Sequence, residues 1–82
     1  MNESNIVFIS HALERIKERG ISKDLVIEAL TNPDKVEEGY FGRKVAQKVV
    51  DEKLIRVIYE EHEDEIIVIT AYITSKVDKY LG

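Results

Sequence analysis

The sequence predicts an α+β protein in which two helices pack on one face of an antiparallel sheet. Apolar residues between Ser10 and Thr31 recur at the three- and four-residue spacing of a helix. After Pro33 apolar and polar residues alternate, which is the period of a strand. The chain of 82 residues has the length of one small domain, so we expect residues 1–82 to fold as a single unit.

An N-terminal strand and two helices are predicted first. Residues 5–10 read NIVFIS, a short apolar run with strand-forming residues. Ser10 stands where a helix N-cap belongs, and Gly20 where the left-handed residue after a helix belongs. The second helix begins after its N-cap Ser22 and ends before Pro33, because the residue preceding a proline is pushed out of the helical region. The connection between the two helices is only a few residues long, which predicts an αα-hairpin.

Four segments with strand periodicity follow Pro33. They read KVEEGYF (35–41), RKVAQKVVD (43–51), KLIRVIYEE (53–61) and DEIIVITAYIT (64–74). The connections between the later segments are short and polar, which predicts an antiparallel meander. We therefore expect a sheet of three to four antiparallel strands, followed by a short C-terminal helix or arm.

Side-chain alternation sorts the sheet into a face covered by the helices and an open face turned away from them. The more apolar set is expected under the helices: Ile55, Val57, Tyr59, Ile67, Ile69, Ala71 and Ile73. The open face is expected to carry Lys44, Lys48, Arg56, Ile58, Val68, Thr70 and Tyr72. Because it mixes cations and an aromatic ring with aliphatic residues, this face predicts a surface used in binding or pairing.

The composition excludes several kinds of site. There is no cysteine, so neither a disulfide nor a thiolate metal site can form. The four glycines are scattered and make no phosphate-cradling loop, and we expect no cofactor. No apolar run approaches the roughly 20 residues that span a bilayer. The opening MNESN is unlike a basic and apolar leader, so we expect a cytoplasmic protein with no membrane contact.

The charge of the chain bears on its partners. The formal net charge is −4, and a negative body repels phosphate at long range. A local basic patch overcomes this repulsion, so RNA stays open as a partner. The acidic run EEHEDE (60–65) places His62 among carboxylates. Its turn-like position offers no rigid ligand geometry, so we expect a solvated loop and no metal site.

The stretch ISHALERIKERGIS (9–22) places one histidine and two arginines in a single row. His11, Arg15 and Arg19 stand at i, i+4 and i+8, which aligns them along one side of a helix. His11 lies near the first turn, where anions are favoured, although a hydrogen bond to a strand carbonyl explains it equally simply. Arg19 lies beside the apolar stripe, so with Gly20 it is expected to have a structural role.

Two segments resemble the uncharacterised domain family 4258. The opening SHALERIKERGIS, followed by LTNP, matches that family's start in His11, Ala12, Arg15, Arg19, Gly20, Ile21 and Ser22. The end VITAYITSKVDKY is similar to the family's close in Thr70, Tyr72, Lys76 and Tyr80. The order of elements in turn resembles the RelE-like toxin fold. That resemblance implies a small ribonuclease, often dependent on the ribosome and paired with an antitoxin protein.

The resemblance and the chemistry of RNA cleavage together suggest site residues. Cleavage without a metal needs an acid, a base and cations for the phosphorane charge. The predicted catalytic residues are His11, Arg15, Arg56 and Tyr72. The predicted substrate-binding residues are Lys48, Thr70 and Lys76. For Thr70 and Tyr72, a cross-strand pair accounts for the residues as well as a function does.

Two functions remain open on these grounds. The first is a toxin-like protein that binds or cleaves RNA, with RNA or the ribosome and an antitoxin as partners. The second is a non-catalytic interaction module on the same fold, which forms a homodimer or binds an antitoxin-type protein. The acidic chain and the aliphatic residues Ile58 and Val68 on the predicted open face favour the second function.

Overall fold

The computed structural model describes residues 5–82 as one sheet with three helices. The elements in chain order are β1 (Ile6–Phe8), α1 (Ser10–Glu18), α2 (Lys23–Thr31), β2 (Lys35–Glu38), β3 (Lys44–Val50), β4 (Lys53–His62), β5 (Glu65–Thr74) and α3 (Val77–Leu81). The sheet order is β1-β5-β4-β3-β2. Strands β2 to β5 are antiparallel neighbours, whereas β1 lies parallel to β5. None of the three helices is long and apolar enough to cross a membrane.

The α+β class is confirmed, but the predicted sheet is wrong in two respects. It has five strands instead of three to four, and it is mixed instead of antiparallel. The meander β3-β4-β5 follows from short connections, which leave a strand no alternative to turning back on its neighbour. The partner of β1 is 60 residues away in sequence, with Ile6 opposite Ile66. Local pattern carries no information on the direction of such a distant pair.

The helix ends follow the local signals closely. Gly20 has φ +67°, and the N–H of Ile21 donates to Ile16 O at 2.8 Å. With the bond from Gly20 N to Lys17 O, this completes a Schellman motif at the end of α1. The prediction of Ser22 as an N-cap is confirmed, because its side chain accepts from Leu25 N.

The predicted N-cap of α1 is displaced by one residue. Helix α1 begins at Ser10, and Ile9 is the capping residue without a side-chain hydrogen bond. The reason is the entry from β1, which ends at Phe8 and leaves a single extended residue before the helix. Ser10 therefore lies inside the first turn and does not cap it.

The two helices contact the sheet more than each other, which differs from a self-packed αα-hairpin. Helix α1 lies against β5, and α2 lies against β3 and β4. One core joins both helices to the sheet. Its buried members are Ala12, Ile16, Ile21, Val26, Ala29, Leu30, Ala46, Ile55, Val57, Tyr59, Ile66, Val68 and Ala71.

A β-bulge in β5 changes the predicted assignment of faces. Ile58 is opposite Thr70 and Tyr59 is opposite Val68, so Ile69 has no cross-strand partner. The side chains before the bulge are therefore out of phase with those after it. Val68 is fully buried under the helices instead of lying on the open face. The prediction is right for the part of β5 that follows the bulge and wrong for the part before it.

Strand β3 also has the opposite phase to the prediction. Lys44 is opposite Tyr59 and Lys48 is opposite Ile55, and directly opposed residues share a face. Both lysines therefore lie on the helix side. The open-face residues of β3 are Val45, Gln47 and Val49.

The C-terminal residues form the helix α3, which lies on the open face. Lys35 Nζ donates to Tyr80 O at 3.2 Å, and the Arg56 guanidinium lies over the Tyr80 ring. Leu54, two residues from Arg56 on the same face of β4, is fully buried. The fold thus has its main core between the sheet and helices α1 and α2, and it covers one end of the open face with α3.

Candidate functional site on the open sheet face

Arg56 is the centre of a side-chain cluster on the open face. Its neighbours across β3 and β5 are Gln47 and Tyr72, which the strand register places directly opposite. Arg56 Nε donates to Gln47 Oε1 at 2.9 Å, and Nη1 donates to the Tyr72 hydroxyl. The Arg56 side chain is only 12% exposed. A guanidinium so enclosed has a fixed direction, which is the condition for a specific contact with an anion or an aromatic ring.

Tyr80 of α3 completes this cluster. The carbon centre of the Arg56 guanidinium lies 3.9 Å from the centroid of the Tyr80 ring, a close cation–π contact. The pKa of Tyr80 is lowered, first by its hydrogen bond with the Tyr72 hydroxyl. Attraction to nearby cations lowers it further, from Lys79, Arg56 and Lys76 in order of effect. We call Arg56, Tyr72 and Tyr80 the arginine–tyrosine cluster.

Glu37 of β2 brings an opposite charge to the edge of the cluster. Its carboxylate lies 3.7 Å from Arg56 Nη2 and 3.3 Å from Lys35 Nζ. The pKa of Glu37 is lowered, first by the Gln47 amide beside it and then by Lys35. Gln47 is fully buried, yet its Nε2 completes no hydrogen bond of ordinary geometry within residues 5–82. Arg56 is therefore firmly bound at Nε and Nη1 and more loosely paired at Nη2.

A groove of about 620 Å³ opens beside Arg56. Its walls come from the β2–β3 hairpin and its floor from β3 and β4. The lining residues are Glu37, Glu38, Gly39, Tyr40, Phe41, Arg43, Val45, Arg56 and Ile58. The groove extends the candidate site from the arginine–tyrosine cluster towards the hairpin tip.

His11 and Arg15 lie away from this cluster. The imidazole Nε2 of His11 accepts from Arg15 Nε at 3.1 Å, and Arg15 also pairs with Glu18. Their helix buries Ala12 under the sheet on the side opposite to Arg56. The structure therefore brings Arg56 and Tyr72 together, but does not place His11 or Arg15 beside them.

Arg19 and Thr70 meet at the edge of β5. Arg19 Nη1 donates to Ala71 O at 2.8 Å and to Thr70 Oγ1 at 3.3 Å. Strand β1 pairs with β5 only as far as Val68, so this carbonyl lies beyond the end of that ladder. The contact joins the end of α1 to the free part of the β5 edge.

The two predicted substrate-binding lysines lie on different sides of the sheet. Lys48 Nζ donates to Asn32 O at 3.1 Å, at the end of α2 on the helix side. Its predicted place on the open face is therefore wrong. Lys76 precedes α3, and its backbone N–H donates to Thr74 Oγ1. The charge of Lys76 acts on Tyr80, which places it near the arginine–tyrosine cluster.

The acidic run EEHEDE (60–65) lies mostly in strands, because Glu60 and His62 belong to the end of β4 and only residues 63 and 64 form a turn. The predicted loop is therefore limited to that turn. His62 Nε2 lies 2.7 Å from Glu60 Oε1, and Glu60 also binds Arg43. The pKa of Glu60 is lowered, first by its hydrogen bond with His62 and then by Arg43. In the part of the chain that the structure describes, no group of three or more histidine and carboxylate side chains is placed to hold a metal ion.

Three features of the site were absent from the predicted set of residues. In the sequence, the only signal at Tyr80 is the family resemblance, because this residue lies in a short tail without clear periodicity. Gln47 and Glu37 gave no signal, since their proximity to Arg56 depends on the strand register. The aromatic pair Tyr40–Phe41 beside Gly42 did carry a signal, because few aromatic residues occur in this chain.

Comparison with known proteins gives a family but no characterised relative. A family model described as a domain of unknown function, DUF4258, matches residues 8–73. No curated protein and no solved structure matches the chain. The matched range includes α1, α2, β2, β3 and β4, the last residue of β1 and β5 as far as Ile73, and it ends before α3.

Proposed function

The chain belongs to the DUF4258 family, and we propose that it binds and cleaves RNA at the arginine–tyrosine cluster on its open sheet face. The observation that carries this proposal is the enclosed guanidinium of Arg56 stacked on the ring of Tyr80, a tyrosine whose pKa is lowered. A tyrosine whose pKa is lowered is present more often as the phenolate, which is the form that can accept the proton of a ribose 2′-hydroxyl. An adjacent arginine stabilises the negative charge that develops on the phosphate.

The charges around the cluster support an anionic substrate. Lys35 contacts the Tyr80 carbonyl, and Lys76 and Lys79 act on the Tyr80 hydroxyl. With Arg56 these make four cations at one end of the open face, offset in part by Glu37, in a protein whose net charge is −4. Such a local patch attracts a polyanion that the rest of the molecule repels.

The hydrogen bonds indicate a different role for each residue of the cluster. Tyr72 accepts from Arg56 and bonds to Tyr80, so it holds the two reacting groups in position. Arg56 Nη2 is 3.7 Å from Glu37, which is longer than a hydrogen bond. In the proposed complex a phosphate oxygen takes this position on Nη2. The Tyr72 ring offers a face on which a base can stack.

The proposal is tested by cleavage of single-stranded RNA, alone and in the presence of ribosomes. Tyr80→Phe removes the hydroxyl and keeps the ring over Arg56. We expect this change to lower the cleavage rate by about 10² or more, the usual contribution of an acid–base group. Tyr40→Phe is the matched control, because Tyr40 is a solvent-exposed tyrosine at the hairpin tip. The control is expected to cleave like the unmodified protein.

The pH profile gives a second measure of the same group. Because the base form of Tyr80 is the active form, the rate should rise with pH until the lowered pKa of Tyr80 is passed. Equal cleavage by Tyr80→Phe and Tyr40→Phe, or a rate no higher than that of RNA without protein, would contradict the proposal.

The second candidate function is a non-catalytic interaction module. It is favoured by the side chains that already surround Arg56, since Gln47, Tyr72 and Glu37 occupy much of its bonding capacity. It is also favoured by the exposed aromatic residues of the β2–β3 hairpin. A protein that cleaves no RNA but associates through this hairpin would have this function.

A further inference from the structure

The tip of the β2–β3 hairpin exposes two large aromatic side chains. Tyr40 is 86% exposed and Phe41 is 93% exposed. Their rings lie 6.4 Å apart and form a tilted pair, and neither residue belongs to the core. Aromatic side chains of this size contribute a large contact area when they are buried against a partner. Neither ring is therefore buried by other residues of the same chain.

The backbone at Phe41 is unfavourable for this residue. Phe41 has φ +60° and Gly42 has φ +75°, and Arg43 N donates to Tyr40 O at 3.1 Å. These are the features of a type I′ turn, which favours Asn-Gly or Gly-Gly at its two central positions. A phenylalanine in the left-handed region is strained, and its exposed ring gains no packing in return. A local conflict of this kind without compensation in the chain indicates a role outside it.

The groove beside the tip offers a place for an aromatic side chain. Its floor contains the aliphatic residues Val45 and Ile58, and Arg56 lies at one end. Arg43 on the wall is paired with Glu60 through Nε, and the face of its guanidinium can contact an aromatic ring. A volume of about 620 Å³ is within the range of ligand pockets. The groove and the exposed rings are parts of one continuous surface.

The charges of the groove favour a partner with both signs of charge. Glu37 and Glu38 line it together with Arg43 and Arg56, so its formal charges cancel. A polyanion such as RNA meets two carboxylates there, and a strongly basic partner meets two arginines. A second copy of the same surface, related by a two-fold axis, can place its carboxylates against arginines and its arginines against carboxylates.

We propose that this surface is the interface of a homodimer, in which Phe41 of each copy enters the groove of the other. The contact is isologous, since one patch serves as both the anchor and its acceptor. Two aromatic side chains per copy bury on the order of 300–500 Å². The groove walls bring the contact close to the roughly 800 Å² per partner of a standard interface. The proposal deepens the second candidate function but is also compatible with RNA cleavage.

The test is the oligomeric state measured by sedimentation equilibrium over a wide range of protein concentration. The unmodified chain is expected to be a dimer. Phe41→Asn removes the anchor and should weaken dimerisation at least tenfold, as expected for a buried aromatic hot spot. Leu13→Gln is the matched control, because Leu13 is an exposed apolar residue on α1, and it should dimerise normally.

A thermal measurement confirms that Phe41→Asn still folds. The two proteins are compared at concentrations where both are monomers. Because Asn suits this turn better than Phe, the Tm of Phe41→Asn should be roughly 4 °C above that of the unmodified protein. A persistent monomer of the unmodified chain would overturn the proposal. The proposal would also be overturned if Phe41→Asn dimerised normally, or if Leu13→Gln weakened dimerisation as much as Phe41→Asn does.

RNA binding separates the two uses of the hairpin. If Phe41→Asn keeps the same oligomeric state as the unmodified protein but loses affinity for a single-stranded oligoribonucleotide, the tip stacks on bases and the dimer proposal is overturned. Failure of RNA cleavage leaves the dimer proposal standing, because its measurement uses neither Tyr80 nor an RNA substrate.

Discussion

Arg56 shows how one residue links the sheet to the C-terminal helix. Its guanidinium bonds to Gln47 and Tyr72 on neighbouring strands and stacks on Tyr80 of α3. The cluster therefore forms only when β3, β4, β5 and α3 are all in place. The cluster therefore depends on the whole fold, and no single segment carries its chemistry.

Gly20 allows a residue-level prediction about the end of α1. Its φ of +67° favours glycine, and nothing lies within 4 Å of the position that a Cβ would take. Gly20→Ala should therefore lower the free energy of unfolding by about 1 kcal/mol through backbone strain alone. Urea denaturation measures this change, with Glu14→Ala on the exposed side of α1 as control. A loss of unfolding free energy in Gly20→Ala that is smaller than the loss in Glu14→Ala would contradict the left-handed conformation of Gly20.

The two helix-start serines offer a matched pair. Ser22 accepts from Leu25 N at 3.1 Å, whereas Ser10 lies inside its helix. Ser22→Ala should lower the free energy of unfolding by about 1 kcal/mol, and Ser10→Ala should cost much less. Thermal denaturation of both variants measures the difference. Equal losses would contradict the assignment of Ile9 as the capping residue of α1.

At the level of elements, Arg19 is expected to anchor α1 to β5. Its bond to Ala71 O uses a carbonyl beyond the end of the β1–β5 ladder. Arg19→Gln should lower the free energy of unfolding by about 1 kcal/mol, the net worth of a typical hydrogen bond. Lys17→Gln is the control, an exposed cation on the same helix. Denaturation curves that coincide for both variants would exclude this role.

The bulge in β5 has a larger effect on the site than any single contact. It lets Val68 and Ala71, three residues apart, both face the main core. In a regular strand these two side chains would point to opposite faces. Thr70 and Tyr72 consequently lie on the open face, where Tyr72 reaches Arg56. Strand alternation cannot reveal this extra residue, because Ile66, Ile67, Val68 and Ile69 form one continuous apolar run.

At the level of the whole molecule, two acidic residues predict a loss of stability in acid. The pKa values of Glu37 and Glu60 are lowered from 4.5 by their folded-state partners. The folded protein therefore binds fewer protons than the unfolded chain near these pKa values. The stabilisation is present above about pH 4.5 and is lost as the pH falls through the lowered values.

Thermal unfolding at a series of pH values measures this linkage. The Tm should decline as the pH falls below about 4.5, and the decline should be smaller for Glu60→Gln, which no longer titrates. Glu14→Gln, on the exposed surface of α1, should follow the unmodified protein. An identical decline in both variants would exclude Glu60 from the acid response.

The local pattern determined the elements of this protein. Caps, proline and periodicity gave α2 and the strands β3 to β5 to within about two residues, because these signals act between neighbours in the chain. Arg56, Tyr72 and Lys76 were suggested by the resemblance to the RelE-like toxin fold and not by the local pattern. Those three residues lie on or beside the observed cluster.

Only the tertiary structure decided how the elements meet. The parallel partner of β1, the bulge at Ile69 and the position of α3 over Arg56 depend on contacts between segments distant in sequence. They determined that Lys48 and His11 lie apart from the cluster and that Tyr80 belongs to it. The physical reason is that register and direction are set by packing across the sheet, which no short stretch of sequence contains.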